Sequence, residues 1–211
     1  MKHPHFETYE YGDAAAQIVL IQPVDGHDLT FIDSELANIS SLAGDDFRLI
    51  AVKVNNWNDD LSPWEAPAVF SREGFGGGAK DTLAAINELT ADRSKRYIIG
   101  GYSLAALFAI WAAYETDAFF AVAAASPSVW FPGFSDYVKN NTILADRVYL
   151  SLGDAEERTK NPVMSTVGDN IRDISEHLAN TGTGTIFEWN RGNHFKEPDI
   201  RCAKAFAWTL R

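Results

Sequence analysis

Cysteine is nearly absent from this chain: Cys202 is the only one in 211 residues. That excludes an intrachain disulfide, a Cys-rich metal site and a CxxC redox pair, and makes a reducing cytoplasm the simplest expected setting. Positive charge is also scarce, with 18 Lys and Arg against 29 Asp and Glu, a formal net charge of −11. Such a chain repels a phosphate backbone, so no nucleic-acid partner is expected, and an anionic membrane surface is disfavoured. Long hydrophobic runs are missing as well. The start, MKHPHFETYEYG, holds no apolar segment of the signal-peptide kind, and the longest apolar run, Leu104 to Tyr114, stops at Glu115, short of the ~18 residues of a membrane span. No repeat, low-complexity tract or shift of composition divides the sequence, so a single domain over residues 1–211 is expected, large enough to bury one sizeable core.

What is present is an alternation. Runs rich in Val, Ile, Leu and aromatics recur at 17–22, 47–54, 96–100, 119–125, 147–152 and 185–189, each bounded by turn or polar residues. Between them, segments of helical period lie near 31–43, 79–91, 103–116, 163–180 and 197–209. Strand and helix in alternation predict an α/β fold, a mostly parallel central sheet flanked by helices on both faces. One stretch breaks the rhythm. Residues 55–78, NNWNDDLSPWEAPAVFSREGFGGG, are long for an idle connection and read either as a cover over a site or as a packed surface excursion anchored by Trp57 and Trp64. The glycines at 76–78 read as a turn and helix entry, because no GxxxxGK[ST] accompanies them.

The chemistry centres on GYSLA, residues 101–105, set between a β-branched run and an apolar helix. A strand that turns directly into a helix needs small residues two positions either side of the apex, and it pushes the apical side chain outward. This is the G-x-S-x-G nucleophile elbow with Ala105 in the last position. The plainer reading of Ser103 is a helix N-cap. A serine hydroxyl attacks a carbonyl at neutral pH only with a base in reach and a carboxylate to orient that base, in the chain order Ser, acid, His. Only His177 and His194 follow Ser103. His177 falls in a helical pattern, whereas His194, in EWNRGNHF, follows the last strand at the sheet's C-terminal end, where ligand sites of such folds gather. The acid is expected after RVYLSLG, where GDAEER offers Asp154, Glu156 and Glu157. An oxyanion hole calls for two backbone donors: the N–H of Leu104, and that of Val24 or a neighbour within one residue in QIVLIQPVDGHD. Asp25 and His27 in that loop make only two metal ligands, so no metal is expected.

On the strength of GGYSLAALFAIWAAYETDAFFAVAAASPSVWFPGF, LSLGDAEERTKNPVM, EWNRGNHF and NWNDDLSPWEAP, the chain resembles the esterase group of the α/β-hydrolase superfamily that includes esterase D-like and enterochelin esterase-like enzymes. The likeness spans nearly the whole chain. It implies an α/β-hydrolase fold with a minimal cap and a serine hydrolase that cleaves a small-molecule carboxylic ester through an acyl-enzyme, without a cofactor. Ser103 would be the nucleophile and His194 the base. Glu156 is favoured as the acid, because similar esterases place it three residues past a strand-ending glycine. Trp130 and Phe131 would wall a pocket together with Trp57 and Trp64. Two other functions share these residues: acyl transfer to an acceptor other than water, and a non-catalytic hydrolase-like scaffold.

Overall fold

Apolar runs without alternation form strands that are buried on both faces, and five such runs line up here side by side. The structure is a computed structural model that describes residues 5–69 and 72–211. The first four residues of the chain and positions 70 and 71 of the 55–78 stretch lie outside it. In chain order the elements are β1 (Glu7–Gly12), β2 (Ile18–Val24), α1 (Ile32–Ala43), β3 (Arg48–Lys53), α2 (Trp57–Asp60), β4 (Glu65–Ala66), β5 (Phe75–Gly76), α3 (Ala79–Leu89), β6 (Arg96–Tyr102), α4 (Leu104–Glu115), β7 (Phe119–Ala125), α5 (Phe134–Asn140), β8 (Arg147–Gly153), α6 (Val167–Asn180), β9 (Gly184–Asn190) and α7 (Pro198–Thr209).

The main sheet runs β1-β3-β2-β6-β7-β8-β9. Every neighbouring pair is parallel except β1 with β3. The antiparallel β1 was not expected from the sequence. ETYEYG alternates without a continuous apolar run because it is an edge strand, fastened to β3 by the ion pairs Glu10–Arg48 and Glu7–Lys53.

Two apolar layers cover the sheet. Along β2, Leu20 joins the layer formed with α1 and α7, which includes Ile39, Ile98, Tyr149 and Phe206. Its neighbours Val19 and Ile21 point the other way, into the layer of α3, α4, α5 and α6. Helix α4 is buried along its whole length from Leu104 to Tyr114, which is why it is apolar on every side. By contrast α6 buries a stripe containing Ile171, Ile174 and Leu178 and leaves its other face wet.

The chain leaves β2 through α1 on one face and β6 through α4 on the other, so a crevice opens between the C-terminal ends of these adjacent strands. Open α/β sheets bind their ligands at such a switch point. Ser103 follows the last residue of β6 and stands at this crevice.

The 55–78 stretch is a packed excursion rather than a bare loop. Asp60 accepts hydrogen bonds from the N–H groups of Asn55 and Asn56, fixing the turn into α2. Strands β4 and β5 pair as a short hairpin, and Phe75 lies edge-on to Phe131, with ring centroids 5.0 Å apart. Gly77 takes φ +77° and Gly78 caps α3, giving the turn and helix entry expected there.

Candidate active site

At the end of β6 the backbone is forced into a conformation that few residues accept. Ser103 has φ 57° and ψ −118°, a strained geometry costing on the order of 1–3 kcal/mol. The neighbours make this tight turn possible. A Cβ on Gly100 would stand 2.6 Å from the Ala123 carbonyl oxygen and 2.8 Å from Phe206, and one on Gly101 would meet the Ala105 methyl at 2.8 Å. With Gly101 bare, strand and helix leave room for one methyl, which is why Ala105 fits where the motif has glycine. The Ser103 side chain makes no capping hydrogen bond to α4. Its Oγ lies instead 3.0 Å from His194 Nε2 and 3.2 Å from Ser128 Oγ.

His194 follows β9. The Tyr102 hydroxyl donates to its carbonyl oxygen at 2.7 Å, and the Tyr102 ring lies against the imidazole with centroids 5.1 Å apart. Its Nδ1 is 2.7 Å from Glu156 Oε2. Glu156, three residues past the end of β8, begins a single 3₁₀ turn, and its side chain is only 4% exposed. The other carboxylate oxygen, Oε1, accepts from Gly153 N–H at 2.7 Å, Ser126 Oγ at 2.8 Å and Arg201 Nη1 at 2.8 Å. Burial alone would raise the Glu156 pKa. The hydrogen bond and charge of His194, with the bonds from Gly153 and Ser126, outweigh burial and hold it below the usual glutamate value.

The two other carboxylates of GDAEER have different work. Asp154 accepts the Gly192 N–H at 2.8 Å, tying the end of β8 to the loop that carries His194. Glu157 pairs with Arg172 of α6 at 3.0 Å, rather than with the nearby Arg158 or Lys160.

The expected oxyanion donors divide. Leu104 is the first residue of α4, a position whose N–H has no acceptor within the helix. Val24 is different. It pairs with Lys53 in a parallel register, and its carbonyl accepts the Val54 N–H at 3.0 Å, so its own N–H points at the Val52 carbonyl as part of the sheet ladder. On either side of it, residue 23 is a proline and the Asp25 N–H donates to Asp28 Oδ2 at 3.1 Å. Val24 is therefore committed to the fold rather than to the crevice. Asp25 in turn accepts the N–H groups of His27 and Asp28, and among the described residues no cluster of three or more His, Cys, Asp or Glu gathers to hold a metal.

Of the three tryptophans expected at a pocket, Trp130 borders one, formed with Ser126, Pro127, Met164 and Val167 beside Glu156 and His194. Trp64 instead joins an aromatic group with Phe131, Phe134 and Tyr137 and donates its indole N–H to the Pro132 carbonyl at 2.9 Å. Trp57 opens α2, partly buried against the core. Phe131, only 2% exposed, is also core. Neither Trp57 nor Trp64 borders the Trp130 pocket, Trp64 being held by Phe131, Pro132, Phe134 and Tyr137 instead.

Sequence reasoning missed Arg201. Its side chain is 2% exposed. Nη1 reaches Glu156 Oε1, Ser126 Oγ at 3.0 Å and the Tyr102 hydroxyl at 3.1 Å, while Nη2 reaches the Asn193 carbonyl at 3.0 Å. One guanidinium thus joins the acid to the loop that bears the imidazole. A signal was present: Arg201 falls on the stripe of α7 that continues through Ala205 and Thr209, both buried.

No family model and no curated protein matches the chain. Solved structures do. An IroE-like serine hydrolase from Shewanella oneidensis superposes with a TM-score of 0.73 at 15% identity, covering 98% of this chain and 80% of that one. The siderophore hydrolase EstA from Aspergillus nidulans gives 0.66 at 18% identity over 94% and 84%. A Bacillus cereus carboxylesterase gives 0.64 at 14% identity over 98% and 95%. With these neighbours, a mostly parallel seven-stranded sheet and helices on both faces, the chain has the α/β-hydrolase fold.

Proposed function

We propose that the protein is a serine esterase that hydrolyses a small-molecule carboxylic ester through an acyl-enzyme. The observation that carries this reading is the hydrogen-bonded chain from Ser103 Oγ to His194 Nε2 and from His194 Nδ1 to Glu156 Oε2. An ionised Glu156 keeps the imidazole proton on Nδ1, so Nε2 is free to take the proton of Ser103. Attack of Oγ on the ester carbonyl forms the new C–O bond as that proton passes to Nε2. The resulting oxyanion meets the N–H of Leu104 at the head of α4. Collapse breaks the bond to the alcohol, which leaves with the proton from His194. Water then adds to the acyl-enzyme, gives its proton to Nε2, and releases the acid while Ser103 recovers its own.

The apolar wall of Pro127, Trp130, Met164 and Val167 suits an apolar part of the ester. The segment between β7 and β8 carries only α5, a single short helix, in keeping with a minimal cap and an open approach. The names of the neighbours, serine hydrolase, siderophore hydrolase and carboxylesterase, support the same reaction class. We further assign the chain to one domain and, from its single cysteine, to a reducing compartment. With p-nitrophenyl acetate, an activated ester, the wild type should release a burst of nitrophenol equal to the enzyme present when deacylation is the slower step, and Ser103→Ala should abolish all release. Turnover that survives in Ser103→Ala would end the proposal.

A further inference from the structure

We propose that Ser128 is a further catalytic residue, whose hydroxyl donates a hydrogen bond to Ser103 Oγ and so assists both the attack and the later departure of that oxygen. The inference rests on the Ser103–His194–Glu156 reading above. Ser128 is 1% exposed, and its Oγ lies 3.2 Å from Ser103 Oγ. Distance alone leaves the direction of this bond open, but the neighbouring bonds fix it. Glu156 holds the Nδ1 proton of His194, so Nε2 must accept, and the proton of Ser103 is committed to Nε2. Ser103 Oγ then has only lone pairs to offer Ser128. The Ser128 hydroxyl is the donor.

Donation into Oγ polarises the Ser103 O–H toward the imidazole and stabilises the negative charge that grows on Oγ as its proton leaves. The contact persists after acylation. Oγ is then an ester oxygen without a proton, and it can still accept from Ser128. During deacylation the water oxygen binds the acyl carbon, the C–Oγ bond breaks, and Oγ takes its proton from His194 while Ser128 shares the transient charge.

The backbone permits a clean test. The N–H of Ser128 separately donates to the Ser103 carbonyl at 3.1 Å, which fastens the 126–128 turn to the elbow whatever side chain stands at 128. Ser128→Ala removes one oxygen and keeps that anchor. The rate constant for covalent modification by a fluorophosphonate, kcat and KM for p-nitrophenyl acetate, and the Tm should be measured for wild type, Ser128→Ala and Ser128→Thr. Modification and kcat should each fall about 10-fold in Ser128→Ala, the loss of one hydrogen bond to a developing charge, with KM within about twofold. Its Tm should stay within about 3 °C of wild type. Ser128→Thr, which keeps the donor, should recover most of the rate. Wild-type rates in Ser128→Ala, a loss seen in KM or Tm instead of kcat, or a folded Ser128→Thr as slow as the alanine variant would each overturn the role of Ser128 and leave the esterase reading intact. A wild type that the probe never modifies would overturn both.

Discussion

Replacing Arg201 by methionine tests how far the site depends on one buried cation. The guanidinium is 2% exposed and pairs with a carboxylate that is 4% exposed, so neither charge has water to fall back on. Removing one member of such a pair costs about 3–5 kcal/mol, because the other charge stays buried without its partner. The cost should lie toward the lower end, since Gly153 N–H and the Ser126 hydroxyl still donate to Glu156 Oε1. For a chain of this size each kcal/mol shifts Tm by about 2–4 °C, so Arg201→Met should melt about 10 °C lower. Activity should suffer separately. The Asn193 carbonyl, one residue from His194, loses its donor, and a displacement of about 1 Å at a catalytic base costs on the order of 10²-fold in rate. A thermal melt and the kcat for p-nitrophenyl acetate read these two effects independently. A variant with both values at wild type would refute the claim that Arg201 holds the acid and the base loop together.

Three further outcomes follow from the same geometry. Glu156→Gln should lower kcat by 10²–10⁴-fold by disturbing the imidazole tautomer, whereas Asp154→Asn should stay within about 10-fold because Asp154 touches only the Gly192 N–H among the site's groups; steady-state kinetics on both variants identifies the acid. Gly101→Ala should abolish soluble, folded protein or lower its Tm steeply, since the added methyl would lie 2.8 Å from that of Ala105, and expression with a melting curve reads it directly. Glu35 should make stability depend on pH. Burial first, then the charges of Asp28 and Asp199, push its pKa from 4.5 to about 8 against the opposing hydrogen bond from Gln22. The folded state therefore holds a proton that the unfolded chain has lost, so the contribution of Glu35 to stability should fall as pH rises from about 4.5 to 8, by roughly 3–5 kcal/mol in all, and level off above 8. In Glu35→Gln that contribution disappears, and its Tm should gain on wild type between pH 5 and pH 8; parallel curves would refute the assignment.

Much of this architecture could be read from the sequence because the inner strands are buried on both faces. VLIQ, LIAV and YIIGG need no partner in view to be recognised as strands. The edge strand β1 escaped because alternating ETYEYG takes its identity from pairing with β3, a long-range contact that local pattern does not encode. Helix α5 escaped because seven residues after a Pro-Gly pair give too short a window for a helical period. In the site, Ser103 and His194 stood out because an elbow and a histidine beyond the last strand are local signals with a required order. The choice among three neighbouring carboxylates was a different matter. It depends on which way the chain after β8 points each side chain, and only the likeness to similar esterases favours Glu156. The loop after the early strand is where a second oxyanion donor is expected, which points to Val24; the parallel ladder takes its N–H instead. Arg201 belongs to no motif, and only its position on the buried stripe of α7 marks it.

The central claim is that one hydroxyl, on Ser103, is made nucleophilic by a histidine 91 positions away in the chain. Intact-protein and peptide mass spectrometry after treatment with a fluorophosphonate tests it most directly. One phosphonyl group on the peptide containing Ser103, formed far more slowly in His194→Ala and absent in Ser103→Ala, is the predicted result. A wild-type protein left unmodified, or modification that persists in Ser103→Ala, would contradict it.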